Sequence, residues 1–158
     1  MPPLESSPSL LNYRRSFTFD VPHTEVWRAV RSSDSYEEWA PWMRDLQVAG
    51  DGFVPGTRFI FGVASRLPVR MDLEIEIVAV TEGEFVEARV SRDLVGEGRL
   101  RLRPEGRTTE VELSWEVDVA SKPLRTLLFV SGPFVRWTQE WAVRAAIAGA
   151  RRRFEGPI

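Results

Sequence analysis

Few side chains in this chain of 158 residues are equipped for chemistry, so where they fall decides what they can do. Arg15 shares alternating parity with Tyr13, Phe17 and Phe19, and so is expected on the apolar face of a strand. An inward Arg needs a partner. Either it polarises a ligand group, or it pairs with an acid at a sheet edge, the commoner arrangement. Arg66 falls in a turn just before Pro68, where it is either within reach of a cavity mouth or a solvated loop residue. His23, the only His, stands at a helix start and is expected at the surface. There is no Cys, which excludes disulfides, thiolate metal sites and Cys nucleophiles. A single His leaves no His-rich metal site, so neither a metal nor a cofactor is expected.

These residues sit on a frame that reads clearly at its start. In Phe17–Trp42, FTFDVPHTEVWRAVRSSDSYEEWAPW, Phe17 and Phe19 alternate with Thr18 and Asp20, so a strand comes first. Pro22 stops that strand and suits the first turn of a helix. Val26, Trp27 and Val30 then recur at helical spacing. A second short helix restarts near Asp34 and Ser35, either of which can cap it, and is followed by Trp39, Pro41 and Trp42.

Strands dominate the middle. Leu46 and Val48 alternate before a turn at Gly50-Asp51-Gly52, and Phe59, Phe61 and Val63 then share one face. Met71, Leu73, Ile75 and Ile77 alternate with Arg70, Asp72, Glu74 and Glu76, the pattern of a half-buried antiparallel strand. Val86, Ala88 and Val90 follow. Next, Gly96, Gly98, Leu100 and Leu102 lie opposite Glu97, Arg99, Arg101 and Arg103; last, Val111, Leu113, Trp115, Val117 and Val119 face one way. Seven strands of this kind give one dry face and one charged face, and the dry face needs a cover. The segment Pro123–Phe154 supplies it, with Leu127, Val130, Phe134, Trp141, Ala145 and Ala148 at helical spacing. Pro133 either starts a new helix there or kinks a continuous one. The part from Pro133 onward spans roughly 33 Å at ~1.5 Å per residue, enough to cross a sheet.

Composition fits an ordinary globular domain, with 43% apolar and 28% charged residues. A net charge of −2 gives no reason to expect nucleic-acid binding. No apolar run is long enough to span a membrane. Residues 1–11, MPPLESSPSLL, are expected to form a disordered lead-in rather than a signal peptide, with residues 12–158 as one domain and a cytoplasmic location as the default.

The order of strand, two small helices, six strands and long C-terminal helix resembles the helix-grip fold of the START and Bet v 1-like (SRPBCC) superfamily. The stretches FDVPHTEVWRAV, YEEWAPW, Gly56-Thr57, SRLPVRMDLEIEIVAV, TTEVELSWEVDV and GPFVRWTQEW are similar to its bacterial polyketide cyclase/dehydrase branch. The resemblance covers about residues 12 to 154. It implies an α+β fold in which a curved seven-stranded antiparallel sheet, in β-α-α-β6-α order, wraps a long C-terminal helix. Between sheet and helix it implies an apolar cavity that takes a lipid, hormone or polyketide. Some members catalyse cyclisation and dehydration. Some similar sequences are expected to bear a His near Trp137-Thr138-Gln139; none is present here.

The expected cavity lining is Tyr36, Trp39, Phe59, Phe61, Met71, Leu73, Val90, Gly96, Gly98, Leu100, Trp115, Leu127, Phe134 and Trp141, with Arg15 and Arg66 as polar candidates. Gly96 and Gly98 remove side-chain volume from the dry face, either for a ligand or for close packing of helix and sheet. Catalytic residues are not assigned. Three readings follow. The first is a binding protein for a hydrophobic small molecule. The second is a polyketide aromatase/cyclase or dehydrase acting on a poly-β-ketone, which needs at least two polar groups converging in the cavity. The third is an interaction protein using the apolar Leu127–Val130 segment, which alternatively forms a ligand gate, a homodimer contact or a plain core turn.

Overall fold

The computed structural model describes residues 11–33, 36–64 and 70–155, with main chain only for Trp39, Leu128 and Glu155. Strand β1 (Leu11–Phe19) leads into α1 (His23–Arg31) and α2 (Tyr36–Trp39). Six strands follow: β2 (Met43–Ala49), β3 (Arg58–Val63), β4 (Met71–Thr81), β5 (Phe85–Arg92), β6 (Leu94–Glu105) and β7 (Thr108–Val119). Two helices end the chain, α3 (Lys122–Val130) and α4 (Gly132–Glu155). Asp34, Ser35, Arg66 and the expected lead-in up to residue 10 lie outside the described residues. Leu11 does not belong to a lead-in: it pairs with Val117 and is buried.

All strands are antiparallel in one sheet of order β1-β7-β6-β5-β4-β3-β2. The strands β2 to β7 form a meander of consecutive neighbours. β1 is the exception, because α1 and α2 carry the chain across so that β1 and β2 occupy opposite edges. The long α4 lies on the dry face, the helix-grip arrangement. Pro133 starts a new helix rather than kinking a continuous one. Ser131 breaks the backbone at φ −143 and ψ 65, while α3 ends with Ser131 N–H donating to Leu127 O at 2.7 Å.

Burial follows the alternation closely. In β1 the odd residues point inward and the even ones are exposed. The outer face carries charge ladders, among them Arg58–Glu74–Arg92 and Arg99 between Glu87 and Glu97. Exposed pairs of this kind contribute little to stability each. The buried polar groups are satisfied more specifically. The Thr109 hydroxyl donates to Val21 O at 2.8 Å and fixes the exit from β1. Trp27 Nε1–H donates to Glu82 at 2.9 Å, tying α1 to the turn between β4 and β5.

The two glycines of β6 differ. A Cβ on Gly96 would stand 2.0 Å from Glu116 O and 2.8 Å from Val117 Cα, so the β7 main chain occupies that space. A Cβ on Gly98 would meet nothing nearer than 3.7 Å.

Candidate ligand cavity

Between the dry face and α4 lies a cavity of about 470 Å3. Residue size explains why protein side chains do not fill it. Across the sheet, Ala88 pairs with Gly98 and Gly98 with Trp115, so two small residues lie side by side in the floor. Above them α4 presents Ala142, Ala146 and Ala150, spaced four apart and therefore on one stripe. Aromatic and aliphatic side chains ring this gap, with Phe59, Phe61, Met71, Leu73, Val90 and Leu100 from the sheet. The opening segment closes one end through Val26, Ala29, Val30, Tyr36 and Trp42. Trp42 is anchored by its Nε1–H to Ala142 O at 2.8 Å. At the other end α3 contributes Leu124, which is 1% exposed.

The lining holds few polar groups. Arg99 and Ser114 also border the space, but they belong to the outward face of their strands, where the Arg99 guanidinium pairs with Glu87 and Glu97. The Tyr36 hydroxyl donates to Val30 O, and burial pushes its pKa far above the ordinary tyrosine value. Thr138 is buried and donates to Phe134 O at 3.1 Å. Gln139 is the most informative of the set. Its Oε1 accepts from Trp115 Nε1–H at 2.8 Å, which leaves the amide NH2 with no protein acceptor among the described residues. Thus α4 offers a hydrogen-bond donor at the wall of an otherwise apolar space. No carboxylate, His or guanidinium side chain joins that wall among the described residues.

A polar latch lies next to Trp115. Its ring stacks on Tyr13 with centroids 4.6 Å apart. The Tyr13 hydroxyl donates to Glu140 at 2.6 Å, and Arg15 and Arg144 also hold that carboxylate. The Tyr13 hydrogen bond, with help from Arg144 and Arg15, keeps Glu140 below the usual carboxylate range. Burial first, and the Glu140 bond second, push Tyr13 up to about 12. The signs fix a pH window. A lowered Glu140 stabilises above its unfolded value and loses that contribution as pH falls through the folded value. A raised Tyr13 stabilises below 10.0 and loses its contribution toward 12. Glu140→Gln should therefore lower stability by about 1 kcal/mol at pH 7, a figure discounted for solvent exposure. Chemical denaturation across pH should show the difference from the parent shrinking as pH falls below the ordinary carboxylate value of about 4, and vanishing once Glu140 is protonated in the folded state as well.

Of the residues expected from sequence, Tyr36, Phe59, Phe61, Met71, Leu73, Val90, Gly98, Leu100 and Trp115 lie on the cavity wall. Trp39's side chain and Arg66 fall outside the described residues. Five others lie elsewhere. Gly96 gives up its side chain to the β7 backbone, not to the cavity. Leu127 packs against the core from α3 without reaching the space. Phe134 and Trp141 sit one step round α4 from the wall-forming stripe, and Phe134 stacks on exposed Trp137 at 5.8 Å. Arg15 is paired with Glu140 at the β1 edge, the second of its two expected arrangements. Reasoning from sequence missed Val135, Thr138, Gln139, Val143 and Ile147 on the wall. Their signal was present in the four-residue spacing of Ala142, Ala146 and Ala150, which marks the close-packed side of the helix.

A curved antiparallel sheet gripping a long helix over an apolar cavity defines the START/Bet v 1-like class. The chain belongs to the family described as "Polyketide cyclase / dehydrase and lipid transport", whose model matches residues 11–155. No curated protein matches the chain in sequence. Among solved structures, it is similar to a protein of Thermus thermophilus, with 17% identity, TM-score 0.73 and coverage of 90% of this chain and 96% of that one. A START superfamily protein from Mycobacterium smegmatis shares 14% identity at TM-score 0.71, covering 91% and 97%. The Zhui aromatase/cyclase from Streptomyces sp. R1128 shares 12% at TM-score 0.72, covering 94% and 99%. At these identities the likeness is one of fold.

Proposed function

We propose that this protein binds a neutral, mainly hydrophobic small molecule carrying one hydrogen-bond acceptor, held between the sheet and α4. The observation that carries the reading is an apolar cavity of about 470 Å3 whose described wall lacks charged side chains. That volume lies within the ~300–1,000 Å3 of small-molecule sites. A buried charge without a partner is costly, which disfavours a deeply bound carboxylate or ammonium. The acceptor is placed by the Gln139 amide, which the Trp115 indole N–H orients. A carbonyl or ether oxygen on a lipid-like or polyketide-like body meets this description.

The cyclase reading asks for more. Proton transfer near neutral pH needs groups that titrate there. Gln139 and Thr138 do not titrate, and Tyr36 is pushed the wrong way. Binding is therefore the reading the described wall supports best.

Native mass spectrometry of freshly purified protein should show a one-to-one adduct with a neutral organic molecule, or one-to-one uptake of the neutral dye N-phenyl-1-naphthylamine. Failure of both would overturn the proposal. Gln139→Leu should weaken ligands with a carbonyl about tenfold while leaving their hydrocarbon analogues unchanged, because only the former lose a hydrogen bond. Titration of matched ketone and alkane probes reads this difference.

A further inference from the structure

The junction of α3 and α4 breaks the pattern set by the rest of the surface. Phe129 is 93% exposed and Val130 75%, and Trp137 on the next helix is 46% exposed. The expectation that Leu127–Val130 forms a plain core turn holds for Leu127 and fails for these two. An aromatic side chain standing almost wholly in water is costly, and such patches mark contact sites.

Charge identifies the contact. Residues 120–155, which hold both C-terminal helices, carry seven basic side chains and two acidic ones, whereas the rest of the chain carries 14 and 21. The near-neutral total conceals a basic C-terminal helical segment set against a net acidic remainder of the chain. Of these acids, Glu140 is already held by Arg15 and Arg144, and Glu155 is the last residue of α4, at the end away from the junction. On α3, Arg125 precedes Phe129 by four residues and Lys122 by seven, so all three share one side of the helix. Exposed Arg136 stands beside Trp137 on α4.

We infer that the α3–α4 junction docks on an anionic lipid surface, with Phe129 and Val130 entering the acyl boundary and Lys122, Arg125 and Arg136 meeting headgroup charge. Aromatic and aliphatic side chains flanked by cations are the chemistry of interfacial binding. A second copy of the chain fits the same patch poorly, because joining two such faces sets cation against cation. The location also matters. Leu124 of α3 forms part of the cavity wall while Phe129 of the same helix points away, so docking brings one end of the cavity against the lipid.

The test is co-sedimentation of the full chain with vesicles of pure phosphatidylcholine and with vesicles containing phosphatidylglycerol. Binding should require phosphatidylglycerol and fall as salt rises. Phe129→Ser should weaken it about tenfold or more. Arg136→Glu should weaken it several-fold. Both side chains are exposed, so far-ultraviolet circular dichroism and melting temperature should match the parent. Absence of vesicle binding, equal binding to uncharged vesicles, or no loss on Phe129→Ser would each overturn the inference. So would a Phe129-dependent dimer in sedimentation velocity without vesicle binding, which would make the patch a self-contact. None of these readouts depends on cavity occupancy, so they stand apart from the binding proposal.

Discussion

Gly96→Ala is expected to destabilise the protein by about 3 kcal/mol or more, whereas the same change at Gly98 should cost less than about 1 kcal/mol. The two positions are neighbours on one face of one strand, so propensity and exposure nearly cancel between them. What differs is the distance to the next strand. At Gly96 the added methyl carbon would lie 2.0 Å from the Glu116 carbonyl oxygen, and main chain cannot swing aside as a flexible side-chain tip does. Relief requires β6 and β7 to separate, which stretches the ladder on both sides. At Gly98 the nearest atom is 3.7 Å away, an ordinary contact. For a domain of this size, about 3 kcal/mol corresponds to a fall in melting temperature of roughly 10 °C. Thermal unfolding of the two variants side by side checks the claim, and a similar loss at both positions would refute the close-approach argument.

Ala142→Phe should do the reverse, abolishing ligand uptake while leaving the fold as stable as before or more so. Ala142 lies on the α4 stripe that faces the gap above Gly98 and Ala88, so a phenyl group there enters space that no protein atom fills. Filling it adds dispersion contacts and removes apolar wall from water. The same ring excludes a ligand, and binding of N-phenyl-1-naphthylamine should weaken by more than about tenfold. The main-chain carbonyl of Ala142 still accepts from Trp42, so the anchor at the cavity end is retained. Dye titration together with a melting curve gives the two signs independently. A variant that loses stability would show the space to be a packed wall, and one that binds dye normally would place the ligand elsewhere.

Much of the frame was legible in the residues because strand alternation is a strong signal. The alternation of Met71, Leu73, Ile75 and Ile77 with Asp72, Glu74 and Glu76 allows one register against a core, since a slip of one residue would bury the carboxylates. The same holds for β6 and β7, and the sheet-borne half of the cavity wall follows from it. The helical half did not follow. In α4 two stripes compete for the sheet, one bearing Phe134 and Trp141 and the other bearing Val135, Ala142, Ala146 and Ala150. Bulk and hydrophobicity favour the first when each residue is weighed singly. Close approach of a helix to a sheet favours the second, because alanine lets the main chains come together. Trp137, which shares the first stripe, is left 46% exposed as the counterpart of that choice. Gly96 was ambiguous for another reason: whether a missing side chain makes room for a ligand or for a neighbouring strand depends on the local path of β7, which no pattern of hydrophobicity encodes.

The pairing of β1 with β7 has a consequence for how the molecule is made. Leu11 must wait for Val117 before it has a partner, although the strands between them can zip to their immediate predecessors. Closing a loop of that length sets a high contact order, which predicts folding on the millisecond-to-second scale rather than in microseconds. During synthesis the first strand emerges long before its partner and remains an unpaired, half-apolar ribbon for several seconds at ordinary elongation rates. The helix that roofs the cavity emerges later still. The nascent sheet therefore displays its dry face until α4 emerges, which makes that interval the point at which this chain most needs a chaperone or an early-bound ligand.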